Sequence, residues 1–185
     1  MINTFECSKD IKVRLWIDEL PNSMIKAPPV FETKVVTYCN EKWNVSKIGL
    51  ELYLPRRHHS NYGFLGIEIL SSNEQNTLCA KVHSSNSNNA LFKDTIAYEE
   101  KTVYCGLPDE YAEPINRKIQ DFMQTNPNLP SGTIDFIAGA HCEVGSSKVV
   151  FGMIADTLLN ILSLNKREYS TLEIQKYLDD ILVFQ

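Results

Sequence analysis

Cys105-Gly106-Leu107-Pro108-Asp109-Glu110-Tyr111-Ala112-Glu113-Pro114-Ile115-Asn116-Arg117-Lys118-Ile119-Gln120-Asp121-Phe122-Met123 is where the period of the chain changes. Before it, apolar residues alternate with polar ones, as side chains on a half-buried strand must. Within it, Ile115, Ile119, Phe122 and Met123 return at helical spacing, and Pro108 and Pro114 stand where a helix entrance tolerates a residue without an N–H. The spacing predicts a helix from Glu113 to Thr125, preceded by strands.

Working upstream, Val30–Cys39, Ile48–Leu54, Phe64–Leu70 and Thr77–His83 are rich in β-branched and aromatic residues, and Asn, Ser and Gly clusters separate them. Ile11–Ile17 alternates well enough for one more strand, and Pro21–Pro29 reads as a loop. Phe92–Cys105 reads as a long strand or a bent hairpin. Downstream, Thr133–Ala140 is a short apolar strand. Ser146 or Ser147 then caps a second helix through Val149, Phe151, Ile154, Leu158, Leu159 and Ile161, apolar around most of its circumference and so buried. Ser170-Thr171-Leu172-Glu173 is a capping box for a third helix, with Leu172, Ile174, Leu178, Ile181 and Leu182 as its packing stripe. Strands grouped ahead of helices favour an α+β fold, a mostly antiparallel sheet backed by helices, over a doubly wound parallel sheet.

The 185 residues, 43% hydrophobic and 22% charged, suit an ordinary globular domain that can bury a core. A formal net charge of −5 gives no global attraction to phosphate, so any nucleic-acid contact must come from a local basic patch. Five cysteines, Cys7, Cys39, Cys79, Cys105 and Cys142, include no Cys-x-x-Cys pair and read as reduced, buried thiols. There is no basic start followed by an apolar stretch, and no run of about 18 apolar residues, so a soluble, cytoplasmic protein without membrane contact is expected. No Gly-x-x-x-x-Gly-Lys-[Ser/Thr] loop exists for a nucleotide phosphate. Gly63 and Gly66 lie inside a strand pattern and open no helix. The acid pairs Asp109-Glu110 and Glu99-Glu100 fit a helix entrance and a strand turn better than acid–base chemistry.

Four segments in order resemble domain IV of elongation factor G. They are Asn61-Tyr62-Gly63 leading into Phe64–Leu70, then Phe92 with Lys93-Asp94, then Gly106-Leu107-Pro108-Asp109-Glu110-Tyr111 before a helix, and last Glu143-Val144-Gly145-Ser146-Ser147 after the strand 132–140. The family has a Gln-Tyr-Gly strand, a Phe-x-Asp segment, a Gly-x-Pro-x-Glu-Tyr helix entrance and a Glu-Val-x-Ser-Ser turn. The resemblance covers roughly residues 50–162. It implies a ribosomal-protein-S5 domain-2-like sandwich, a four-stranded sheet backed by two helices with a left-handed βαβ crossover. It divides the chain into an N-terminal β extension (1–49) packed on the same domain, the domain IV-like body (50–165) and a C-terminal helix (166–185).

By the same resemblance, two loops meet at one tip, Pro55–Tyr62 and Gly139–Glu143. The implied contact residues are Arg56, Arg57, His58, His59, Asn61 and Tyr62 on the first, with His141, Cys142 and Glu143 on the second. Arginine forks onto phosphate oxygens and imidazole stacks on exposed bases, so the implied role is a non-catalytic, translation-related module binding RNA or the ribosome. The alternative is a protein–protein interaction module, such as an immunity or inhibitor protein, reusing the fold. The sequence departs from the family at the tip, with Cys142 where the family carries histidine and His141 where it carries tyrosine. His58, His59, His141 and Cys142 are zinc-ligand types, but adjacent residues of a strand point to opposite faces, and no metal or cofactor is expected. For the same reason His141 is poorly placed to activate Cys142 as a nucleophile.

Overall fold

The computed structural model describes residues 2–7, 11–54, 61–71, 76–85, 90–98, 101–166 and 176–177. The elements are β1 (Ile2–Cys7), β2 (Ile11–Ile17), β3 (Pro29–Val36), β4 (Lys47–Tyr53), β5 (Tyr62–Ser71), β6 (Thr77–His83), β7 (Tyr104–Cys105), α1 (Asp109–Thr125), β8 (Gly132–His141) and α2 (Lys148–Ser163). They form an α+β fold built on one mixed sheet of order β1-β2-β4-β5-β8-β6-β3, with β7 pairing β8 off that path. Every pairing is antiparallel except β6 with β8, which are parallel and are joined in sequence through α1. The N-terminal strands serve both margins of the sheet, since β2 pairs β4 while β3 pairs β6 at the far edge.

Both helices lie on one sheet face, α1 against β3 and β6, α2 against β4 and β5, side by side. The alternation of β2 and β4 sends Val13, Leu15, Ile48, Leu50 and Leu52 to that face, and β5 adds Leu65 and Ile67. They meet Ile115, Ile119 and Phe122 of α1 and Phe151, Ile154 and Leu158 of α2. Gly63 marks the closest approach of α2 to the sheet, because a Cβ there would stand 2.8 Å from Ile154 Cδ1. The N-cap of α2 is Ser147, whose hydroxyl accepts from Val150 N at 3.3 Å. Ser147→Ala is expected to cost about 1 kcal/mol in urea denaturation; an unchanged midpoint would show that the cap contributes nothing.

The opposite face is apolar only over half its width. Trp16, Tyr53, Tyr62 and Phe64 form a second core there, roofed by Phe92, Ile96 and Val103 from the excursion between β6 and α1. Phe64 stacks on Phe92 at 5.5 Å and takes Trp16 edge-on at 5.1 Å. A bulge between Gly66 and Ile67 in the β5–β8 ladder lets β8 supply Phe136 to the helical side and Ala138 to this one.

Two expectations need correcting. α1 starts at Asp109, a full turn earlier than the proline pattern suggests, with Pro114 inside the helix. Pro108 takes the N-cap position, and Asp109 and Glu110 occupy the first turn, where the helix dipole favours acids. The segment Phe92–Cys105 is no long strand. Among its described residues only Tyr104–Cys105 joins the sheet, and Phe92 N to Val103 O and Cys105 N to Ala90 O close a hairpin-like excursion over the second core. The expected C-terminal helix, within 166–185, falls outside the described residues apart from Lys166 and a helical Lys176–Tyr177.

Candidate functional site

β5 begins where β8 ends. The register sets Phe64 opposite Ala140, so Asn61 and Tyr62 stand beside the turn Cys142–Gly145 that links β8 to α2. Asn61 N and Tyr62 N both donate to Gly145 O, at 2.7 and 3.2 Å. Ser146 Oγ donates to Tyr62 O at 2.8 Å and accepts from Cys142 N at 2.9 Å, tying the two segments a second time. Leu54 N donates to Asn61 O at 2.7 Å, so both anchors of the intervening segment also lie at this end of the sheet. Arg56, Arg57, His58 and His59, in that segment, are outside the described residues.

The remaining expected contact residues divide sharply by exposure. Asn61, Tyr62 and Cys142 are 2%, 0% and 2% exposed, so they build the apex instead of presenting it to a partner. Glu143 is exposed and His141 half-buried, and Val144 beside Glu143 is 67% exposed. Lys101 Nζ reaches Val144 O at 3.5 Å. His141 Nδ1 donates to Gly106 O at 3.1 Å, since a carbonyl can only accept, and its ring lies tilted against Tyr104. Burial lowers the affinity of His141 for a second proton, which leaves Nε2 as an acceptor. Burial pushes the Cys142 thiol up to about 12, so it stays uncharged at neutral pH. Among the described residues no group of three or more His, Cys, Asp and Glu side chains is placed to hold a metal ion.

Behind the apex lies a group that the sequence reading passed over. Glu51 is completely buried in β4, on the face away from the helices. Its Oε1 accepts from Thr95 Oγ1 at 2.6 Å, Tyr62 OH at 2.8 Å and Ile96 N at 3.1 Å. Oε2 accepts no hydrogen bond, and Arg14 Nη1 stands 3.9 Å from it, too far for one. Arg14 itself donates to both the carbonyl and Oδ1 of Asp94 at 3.0 Å and stacks over Trp16. Burial raises the pKa of Glu51 against the opposing pull of these donors. One carboxyl thus fastens the excursion onto the sheet, and Tyr62, expected at a contact surface, is one of its fasteners. The available signal was a lone acid in the otherwise apolar run Ile48–Leu54.

On the far side of the excursion Cys105 borders a cavity of about 420 Å³ with Asn22, Ser23 and Lys26 on its wall. Burial raises this thiol as well. Among the described residues no helix is long and apolar enough to cross a membrane. Comparison with protein-family models, curated proteins and solved structures finds no match for the chain.

Proposed function

We propose that the chain is a non-catalytic module, like domain IV of elongation factor G, that contacts RNA or a ribosomal site through the apex where β5 begins and β8 ends. The observation that carries this reading is the double clasp of Asn61 and Tyr62 onto Gly145, which joins two turns about eighty residues apart in the chain. The basic run Arg56-Arg57-His58-His59 lies in the chain between Leu54 and Asn61, which are hydrogen-bonded to each other at that end. Support for a ribosomal-protein-S5 domain-2-like fold comes from the adjacency of β5, β8 and β6, the parallel β6–β8 pair joined through α1, and the two helices sharing one face.

Guanidinium groups bind phosphate by charge and by bidentate geometry, and each contact releases condensed counterions. The double variant Arg56→Glu/Arg57→Glu is therefore expected to weaken ribosome or RNA association and to lower the slope of log K against log salt by about 1.5. Filter binding across a salt series checks this. Unchanged affinity, or no binding by the wild type, would overturn the proposal.

A second reading, an interaction module that neutralises one protein partner, draws on the net charge of −5 and on Tyr98 and Val144, 68% and 67% exposed near the same end. Affinity purification from the native cell discriminates: ribosomal proteins support the first reading, a single stoichiometric protein the second.

A further inference from the structure

β3 is an edge strand. β6 occupies one side of it, and among the described residues no strand pairs with the other. Such an edge offers a row of unpaired backbone donors and acceptors to any strand that fits it. Its side chains divide cleanly between faces. Phe31 and Val35 pack toward the helical core, and Thr33 hydrogen-bonds Asn116 of α1 at 3.3 Å. Val30, Glu32, Lys34 and Val36 therefore stand on the open face, where Val30 is 48% and Val36 62% exposed. Glu32 and Lys34 already pair with each other at 2.6 Å within one chain.

We propose that β3 is a homodimer interface, pairing antiparallel with β3 of a second copy about a two-fold axis through Thr33. The strand is self-complementary in that register and in no neighbouring one. Centring on Thr33 sets Glu32 opposite Lys34 of the copy and Lys34 opposite its Glu32. On the helical side Phe31 faces Val35, an aromatic and β-branched pair of the kind that stabilises adjacent strands. Glu32, already opposite Lys81 of β6, then lies between two cations. Centring on Glu32 would oppose glutamates, and centring on Lys34 would oppose lysines, both unfavourable. A slip of one residue would turn the helical face of one copy to the open face of the other. The axis through Thr33 is perpendicular to the sheet, so both helical layers stay on the same side of one continuous sheet. Pro29, which has no N–H to offer, and the irregularity between Pro29 and Phe31 limit the pairing to the stretch after them. This interface lies in β3, away from the apex, and stands or falls independently of RNA binding.

Sedimentation velocity of the full chain over a concentration series tests it. The wild type is expected to shift reversibly from 21.1 kDa to twice that mass. Glu32→Lys and Lys34→Glu, each alone, replace both opposite-charge pairs with like-charge pairs and are expected to raise the dimer dissociation constant about tenfold or more. Mixed in equal amounts, these two variants regain both pairs and are expected to associate with each other as tightly as the wild type. The doubly exchanged chain Glu32→Lys/Lys34→Glu is expected to dimerise alone. A wild type that stays monomeric throughout, a dimer insensitive to either single variant, or a mixture that fails to associate would each overturn the proposal.

Discussion

Glu51→Leu is expected to destabilise the fold by about 3–5 kcal/mol, while Glu51→Gln is expected to cost little or to stabilise it at neutral pH. Leucine removes the one acceptor shared by Thr95 Oγ1, Tyr62 OH and Ile96 N, and the backbone donor and both hydroxyls lose a partner in an interior that offers no water. Glutamine keeps Oε1 for all three donors and exchanges the ionisable oxygen, which has no hydrogen bond to lose, for an uncharged amide NH2. Urea denaturation of both variants beside the wild type measures the difference. Equal costs for the two substitutions would show that shape, not hydrogen bonding, is what the site requires.

The same carboxyl gives the fold a pH dependence of definite sign. Its pKa is raised in the folded state above the ordinary value of 4.5, chiefly by burial, so the folded chain holds a proton that the unfolded chain has released. Its contribution is fully present below 4.5 and is lost as pH rises through the folded value, with a slope of at most about 1.4 kcal/mol per pH unit. The groups facing it are Arg14 from β2, itself paired with Asp94, Tyr62 from β5, Thr95 from the excursion, and Cys142 beyond β8. Cys142, also raised by burial, adds a loss of the same sign above the ordinary thiol value of 9.0. His141, lowered by burial, acts oppositely: its contribution grows as pH rises from the lowered folded value toward 6.5 and is complete above it. The difference between wild type and Glu51→Gln, taken from pH 4 to 8, isolates Glu51 and is expected to fall with pH; a flat difference would assign the pH dependence elsewhere.

What the sequence reveals and what it hides follow from how many faces of an element are buried. Thr77–His83 alternates, with Leu78, Ala80 and Val82 inward, and its bounds are legible to the residue. The faces of α1 and α2 are legible because Ile115, Ile119, Ile154 and Leu158 must all reach one core. β4 and β5 are buried on both faces, so Glu51 breaks no alternation and carries no periodic signature. In Phe92–Cys105, apolar residues at strand-like intervals enter the second core from irregular backbone, which the pattern cannot distinguish from a strand. Sheet order is non-local: the pairing of β3 with β6 across more than forty residues reflects where β6 and α1 leave an edge, not anything written in Pro29–Val36 alone. At the site, the family resemblance suggested Asn61, Tyr62 and Cys142 as contacts, but their backbone and side-chain partners turn them inward. Polar side chains in a turn look alike in sequence whether they hold the turn or face outward.

Gly145→Val is expected to destabilise the protein by about 3 kcal/mol or more, although the residue lies in a turn and bears no side chain. Its φ of +125° belongs to a region that residues with a Cβ rarely adopt, and a Cβ there would overlap Asn61 Oδ1. Asn61 cannot withdraw, since it is 2% exposed and its own N–H donates to Gly145 O. The strain can be relieved only by opening that clasp, so the amides of Asn61 and Tyr62 are expected to exchange with solvent faster in the variant. Val144→Ser next to it, at an exposed position, is expected to change stability by no more than about 0.5 kcal/mol. If hydrogen exchange at Asn61 and Tyr62 is unaltered in Gly145→Val, the clasp is not what holds the two turns together. If it is accelerated, and binding falls with Arg56 and Arg57 intact, the apex recognises its partner through the relative placement of its two turns as much as through their charge.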